Sequence, residues 1–441
     1  MNYRTAGESH GKGILALIEG FPAGMEIQER VINEELRRRQ GGYGRGGRQN
    51  IETDQVEILS GVWKNITLGS PITLWVKNKD YRLPELEDLE SPRPGHGDLS
   101  GSRKYLSSMR GILERASARE TAGRVAAGAL ARQLLTELGI EVFGYVTRIG
   151  NVNLPVSQRA EELFSLLETG IDPEPESDPK EEKSIQNMQE EGNTEISAAD
   201  TLSDHALNGS EEQSDSGIRN SALKLKKMRE ESALYSLAED DSDAKSVIDA
   251  AQKEGDTLGG MIEVRATGLP FGLGTHTQWN EKLDGLLAQA VMSIQAIKAV
   301  EIGLGIRVAE LPGSECHDII RFNRWAQESS SCGFERPTNH AGGLEAGMTN
   351  TKPLVIRAAM KPIATLKKPL ESVNLRTFQP QAASWERSDT CAVPAASVVM
   401  ENVVAFTLAQ AIIDKFGGDS WEELQARWTL YQILVQDMNG T

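Results

Sequence analysis

The pentapeptide GESHG, Gly7 to Gly11, sets a hydroxyl (Ser9) beside an imidazole (His10) between glycines. Its G-x-S-x-G form is that of a nucleophile elbow, with Ser9 as the attacking group. An elbow needs a strand before the serine and a helix after it. Only six residues precede Gly7, and the following GKGILALIEG reads as a strand. The spacing therefore turns attention to His10, whose ring type exchanges protons near neutral pH. LRRRQGGYGRGGRQ (36–49) is the strongest local signal: six arginines fall between Arg30 and Arg48, interleaved with five glycines. Guanidinium forks grip phosphate and carboxylate, and glycine lets backbone N–H groups come close. The stretch reads as a clamp for a polyanionic small molecule. An arginine-glycine RNA-binding segment and a solvated turn are the rival readings. SPRPGHGD (91–98) holds His96 in a loop stiffened by proline. ERASARETAGR (114–124) places Arg115, Ser117 and Arg119 at a helix start, where free N–H groups attract anions or simply receive a cap from Ser117 or Thr121. In RSDTCAVPAA (387–396), Asp389 pairs with Arg387 in the plain account and acts as a base in the other. His276, His317 and His340 lack ligand spacing, so no metal site is expected.

These groups need elements to hold them. The chain has 441 residues, with no apolar run of membrane-spanning length expected. The N-terminus has no apolar signal core, and the three cysteines have no metal or disulfide spacing, so a reducing, cytoplasmic setting is expected. The net charge of −17 is concentrated: residues 171–218 carry 14 Asp or Glu against two Lys. That window has no aromatic residue and no Val, so 171–230 reads as a disordered acidic insertion, with a short basic helix over 221–231 at its end. Deletion of 172–230 is expected to leave activity in place. Residues 1–170 and 231–441 read as one folded domain. Strand patterns fall at 55–78 (two or three strands), after Gly139, at 259–274 and at 353–362. Helices are predicted over 119–139, over 282–303 with an Ala-rich apolar face, and over 395–418, which is apolar on most sides. Strand groups alternating with buried helices predict α+β layers with helices between sheets.

In order along the chain, GESHG, RRRQGGYGRG, RPGHGD, ERASARETAGRVAAG, GDTLGG, MSIQAIKAVEIG, NHAGGLEAGMTN, KPIAT and RSDTCAVPA resemble chorismate synthase, over about residues 1–165 and 232–435. The acidic segment is longer than that family usually carries. The resemblance implies a sandwich of central helices between two antiparallel sheets, usually a homotetramer. It implies an anti 1,4-elimination of phosphate from 5-enolpyruvylshikimate 3-phosphate, giving chorismate with reduced FMN and no net redox change. NADPH enters only in members that reduce their own flavin. By match to the family, His10 protonates the leaving phosphate, His96 acts near flavin N1, and Asp389 assists proton removal through flavin N5. Arg39, Arg45 and Arg48 fall on the GYGRG clamp loop for substrate or NADPH, with Ser9 and Ser117 as hydrogen-bonding helpers. The FMN positions fall on Arg115, Ala116, Ser117, Gln295, Ala296, Ala346, Lys361, Pro362, Ile363, Ala364, Thr365 and Arg387; at Ala346 the family commonly has Gly. The implied partner is a small molecule, neither nucleic acid nor membrane.

Overall fold

A computed structural model of the chain describes residues 1–46, 53–169, 208–327 and 329–438. Two compact units emerge, one from residues 1–157 with 228–441 and one from residues 158–227. The larger unit is built on two antiparallel sheets. The first has four strands in the order β1 (Asn2–Ala6), β2 (Gly13–Glu19), β4 (Ile72–Lys77), β3 (Val56–Ser60). Its alternation is plain in β4, where Ile72, Leu74 and Val76 are buried and their neighbours are not. The second sheet has the order β8 (Ile297–Ile302), β9 (Leu354–Met360), β7 (Gly260–Thr267), β5 (Glu141–Ile149), β6 (Val152–Asn153). Its register places Ile262 opposite Val146 and Ala358, so one apolar face turns inward.

Helices α1 (Glu29–Gln40), α4 (Thr121–Glu137) and α9 (Val393–Phe416) fill the space between the sheets. The expected helix-filled sandwich is therefore present. Helices α2 (Asp98–Tyr105), α3 (Met109–Ala116), α7 (Ser242–Glu254), α8 (Leu283–Met292) and α10 (Trp421–Asp437) lie around it. By length and composition α9 could cross a membrane, a candidate the sequence reading had passed over; 89% of its most apolar window is buried inside this protein, as befits a core helix. Small residues let α4 and α9 touch backbone to backbone: a Cβ on Gly128 would stand 2.2 Å from the Asn402 carbonyl oxygen.

Two expectations need correction. The helix predicted over 282–303 ends at Met292; Ala296 turns the chain at φ +68°, and residues 297–302 then pair with β9. The β-branched Ile297, Val300 and Ile302 suit a strand, and the Ala-rich run before them had hidden the change of period. The 55–78 stretch holds four strands, because a short hairpin (Val62–Trp63 with Ile66–Thr67) turns at Lys64 and Asn65, both at positive φ. The smaller unit contains α5 (Gln158–Thr169), whose Ala160, Leu163, Phe164 and Leu167 form a buried stripe at helical spacing, and most of α6 (Asn208–Glu231). The short helix expected over 221–231 is thus the end of a longer one; residues 170–207 of the acidic window lie outside the described residues.

Candidate functional site

His10 lies in the turn between β1 and β2. Asn78, just after β4, holds that turn by donating from Nδ2 to the carbonyls of Glu8 (3.1 Å), Ser9 (3.1 Å) and Gly11 (2.8 Å). Glu114 of α3 accepts the His10 backbone N–H (2.7 Å) and lies 2.9 Å from Nδ1. A carboxylate at Nδ1 assigns the ring hydrogen to that nitrogen and leaves Nε2 to exchange a proton. Nε2 faces Asp80 at 3.7 Å. Burial pushes the Glu114 carboxyl up, but hydrogen bonds from His10 outweigh it and hold the group below the usual carboxylate range. Ser9 is buried and receives a hydrogen bond from the Ser117 hydroxyl at 3.2 Å; a strand, not a helix, follows it. The elbow geometry is absent. Ser117 also caps the short turn Ala118–Glu120 by accepting the Arg119 N–H.

The arginine stretch splits between two elements. Arg39, expected in the loop, sits in the last turn of α1, since helical spacing continues to Gln40. Its Nη2 donates to Asp54 Oδ2 at 2.5 Å. Arg119 donates to the same carboxylate at 2.7 and 2.8 Å, and from Nε to Asn78 Oδ1 at 2.7 Å. Burial, against the pull of Asp54 but joined by the charges of Arg119 and Arg45, lowers the Arg39 guanidinium below its ordinary value. Arg45 does lie in the loop and donates to Asp389 Oδ2 at 2.5 Å, while Gly46 N–H donates to Oδ1 at 2.6 Å. Asp389 therefore answers to Arg45; Arg387, its partner in the plain account, is exposed. The loop lies flat on the 390–391 backbone, both of whose N–H groups donate to the Gly44 carbonyl. Gly44 has φ +85°, and a Cβ there would meet Cys391 Cβ at 2.9 Å. Burial pushes the Cys391 thiol up to about 11, so it packs as an apolar side chain. Arg48 lies outside the described residues. Three buried guanidinium N–H groups here, Arg39 Nε, Arg45 Nε and Arg119 Nη2, have no acceptor among the described residues.

His96 stands at the other side. Its Nδ1 lies 2.6 Å from Asp98 Oδ1, and the Arg93 guanidinium donates twice to that carboxylate and once to Thr365 Oγ1 at 3.0 Å. Burial pushes Asp98 up, but Arg93 and His96 hold it well below the usual carboxylate range. Thr365 closes the Lys361–Thr365 segment, whose Ile363 and Thr365 carbonyls accept from Thr257 and Ser388 hydroxyls at 2.8 Å each. Lys361 N–H donates to Ala296 O at 2.9 Å, and Gln295 Nε2 donates to Glu120 at 3.1 Å. Glu120 accepts from Thr5 Oγ1, and Arg115 donates to the Thr5 and Gly7 carbonyls. Arg110 donates to Glu386 at 2.8 Å and stands 3.6 Å from Glu114. The contacts thus form one circuit through His10, Arg119, Arg39, Arg45, Asp389, Thr365, His96, Gln295 and Arg115. Ala346 has φ +52° in the turn before Gly347, whose carbonyl accepts the Leu283 N–H at the start of α8.

Sequence reasoning missed Asp54, Asn78, Asp80, Arg93, Asp98 and Glu114. Asp98 and Arg93 had a signal, two and three residues from His96 in one loop, and Glu114 opens the ERASARET stretch; Asp54, Asn78 and Asp80 are lone residues brought in by sheet packing. Among the described residues no group of His, Cys, Asp and Glu has the geometry to hold a metal.

Comparison with known proteins gives the family. A family model described as chorismate synthase matches residues 1–413. A chorismate synthase from Trichlorobacter lovleyi is 46% identical over 99% of this chain and 100% of its own length. One from Moorella thermoacetica is 45% identical over the same shares. A crystal structure of chorismate synthase superposes with a TM-score of 0.69 at 37% identity, covering 99% of this chain and 98% of the other. With the helix-filled sandwich and the ordered motifs, these matches place the chain in the chorismate synthase family of lyases.

Proposed function

We propose that the protein converts 5-enolpyruvylshikimate 3-phosphate to chorismate and phosphate by an anti 1,4-elimination, with reduced FMN as cofactor. The observation that carries this reading is the group of three buried, acceptor-free guanidinium N–H donors between His10 and Asp389. A buried donor without a partner costs about 1–3 kcal/mol, which an anionic ligand would recover. The substrate has a phosphate and two carboxylates to offer. Arg39, Arg119 and Arg45 bind and orient it, and Arg48 belongs to the same stretch. The C3–O bond breaks and phosphate leaves with the electron pair. His10 delivers a proton from Nε2 to the departing oxygen, its ring held by Glu114 at Nδ1. Asp389, its carboxylate oriented by Arg45 and the Gly46 N–H, accepts the proton lost from C6. His96, held by Asp98, faces the cofactor side of the same circuit.

The residues present suit a flavin. Gln295 Oε1 is buried without a donor among the described residues, an acceptor ready for a ring N–H. Lys361 has its ammonium brought below its ordinary value by burial and Lys298, and with Arg115 and Arg387 it supplies cations for a phosphate tail. Arg115, Ala116, Ser117, Gln295, Ala296, Lys361 to Thr365 and Arg387 would hold the cofactor. Reduced flavin supplies electron density to a substrate whose C6 hydrogen is not acidic. Three free cysteines suit the reducing cytoplasm. Exposed Ile306, Ile320, Phe322 and Trp325 suit burial between copies in a homotetramer.

His10→Ala tests the reading. Its kcat should fall by about 10²–10⁴-fold, the usual worth of general acid catalysis, with substrate KM little changed. Turnover near that of the parent would end the general-acid assignment.

A further inference from the structure

The core contains a charged cluster that the chemistry above does not use. Arg38 of α1 donates to Glu35 at 2.6 Å and to Glu401 of α9 at 2.9 Å. Arg132 of α4 lies 2.7 Å from Glu401 and 3.2 Å from Glu35. Two arginines and two glutamates already balance. A third arginine, Arg229, is nevertheless inserted from the last turn of α6, with Nη1 at 3.1 Å from both Glu401 oxygens and only 2% of its surface exposed. Burial, joined by the charges of Arg38 and Arg132 and opposed by Glu401 and Glu35, brings its guanidinium down to about 10. The half-exposed Glu230 stands 3.8 Å from Arg229 and 3.9 Å from Arg38, and the charge of Glu141 also acts on Arg132.

The segment that follows explains the insertion. Tyr235 places its ring under the Arg38 guanidinium, 5.7 Å to the centroid, and donates from its hydroxyl to the Arg38 carbonyl at 3.0 Å. It does so at φ +55°, a backbone state that a tyrosine adopts only when its surroundings enforce it. Two residues earlier, the Ala233 carbonyl accepts the Tyr43 N–H at 2.7 Å. Residues 229–235 therefore underlie the end of α1, which carries Arg39, and the loop that runs from Tyr43 to Arg45. We infer that Arg229 and Tyr235 are positioning residues which fix the Arg39–Arg45 clamp for the anionic substrate; this rests on the clamp reading above.

Tyr235→Phe carries the test, since it keeps the ring and the fold while removing the hydrogen bond to Arg38. Steady-state kinetics of the full chain should show substrate KM raised by about fivefold or more, with kcat within about twofold and a melting temperature lowered by no more than about 5 °C. Arg229→Met should raise KM further, and Arg229→Lys should recover little, since a point charge does not replace a fork. In an Arg45→Ala background the Tyr235→Phe change should add almost nothing, because both act on one loop. If Arg45→Ala raises KM but Tyr235→Phe leaves it alone, the inference is overturned and the clamp stands. If Arg45→Ala itself leaves KM unchanged, it is the clamp reading that fails.

Discussion

His10 has two acidic neighbours with different parts. Glu114 accepts from Nδ1 and from the backbone, which fixes the ring; Asp80 faces Nε2, the atom that exchanges a proton. Glu114→Gln keeps the shape and removes the anionic partner, so kcat should fall by about tenfold or more while KM holds, as steady-state kinetics will show. Glu114 and Asp98 are among the buried carboxyls whose ionised forms the fold stabilises. Both carboxyls are held below their ordinary values in the fold. Their contribution is complete above the unfolded carboxylate range, about pH 4, and disappears as pH falls below it towards the folded values. Urea midpoints measured between about pH 6 and pH 3 should drop, and Asp98→Asn should flatten that drop while lowering the neutral midpoint. At this scale glycine and proline framing singles out His10 and His96 in the sequence, whereas Asp389 stands out through the family resemblance. The sequence concealed Asp54 and Asn78, because a lone Asp or Asn has no spacing signature and acquires its role only when β3, β4 and the Ala118–Glu120 turn before α4 meet.

The crossing of α4 and α9 shows what the elements demand. In an exposed helix, replacing Gly with Ala gains about 1 kcal/mol of propensity. At Gly128 the added carbon would meet the Asn402 carbonyl at 2.2 Å, so the backbone must shift. Overpacking of this kind costs about 1–3 kcal/mol. Gly128→Ala should therefore destabilise, and a denaturant midpoint above that of the parent would contradict the close approach. The long helices were legible because their apolar periodicity is sustained and glycine marks their ends: Gly139 has φ +75° just after α4, and Gly417 caps α9. Residues 282–303 were not, because Ala-rich apolar sequence fits either period until Ala296 breaks the helix by its backbone conformation. That break matters to the site, since it brings the Ala296 carbonyl to Lys361.

For the whole chain, the burial of Arg229 moves the boundary of what can be removed. Deletion of 172–230 was expected to be harmless, yet it would take Arg229 from the core. Replacing only 172–207 by a short linker should leave kcat and KM within about twofold, because Arg229 and Tyr235 and their contacts are retained. Extending the deletion through 230 should raise KM. Composition had set the acidic window apart, and the layered architecture followed from alternating strand groups and buried helices; the helical start of α6 at Asn208 did not, since its polar sequence has no apolar period to reveal it. The central claim is that one circuit of residues, from His10 to Asp389, removes phosphate and a proton from the same anionic substrate in the presence of reduced flavin. The most direct measurement follows chorismate absorbance and released phosphate when the full chain meets 5-enolpyruvylshikimate 3-phosphate and FMN under nitrogen. Equal amounts of both products, formed only after dithionite reduces the FMN, is the expected result. A folded protein that binds reduced FMN and substrate yet forms no chorismate, or that works equally well with oxidised FMN, would contradict it.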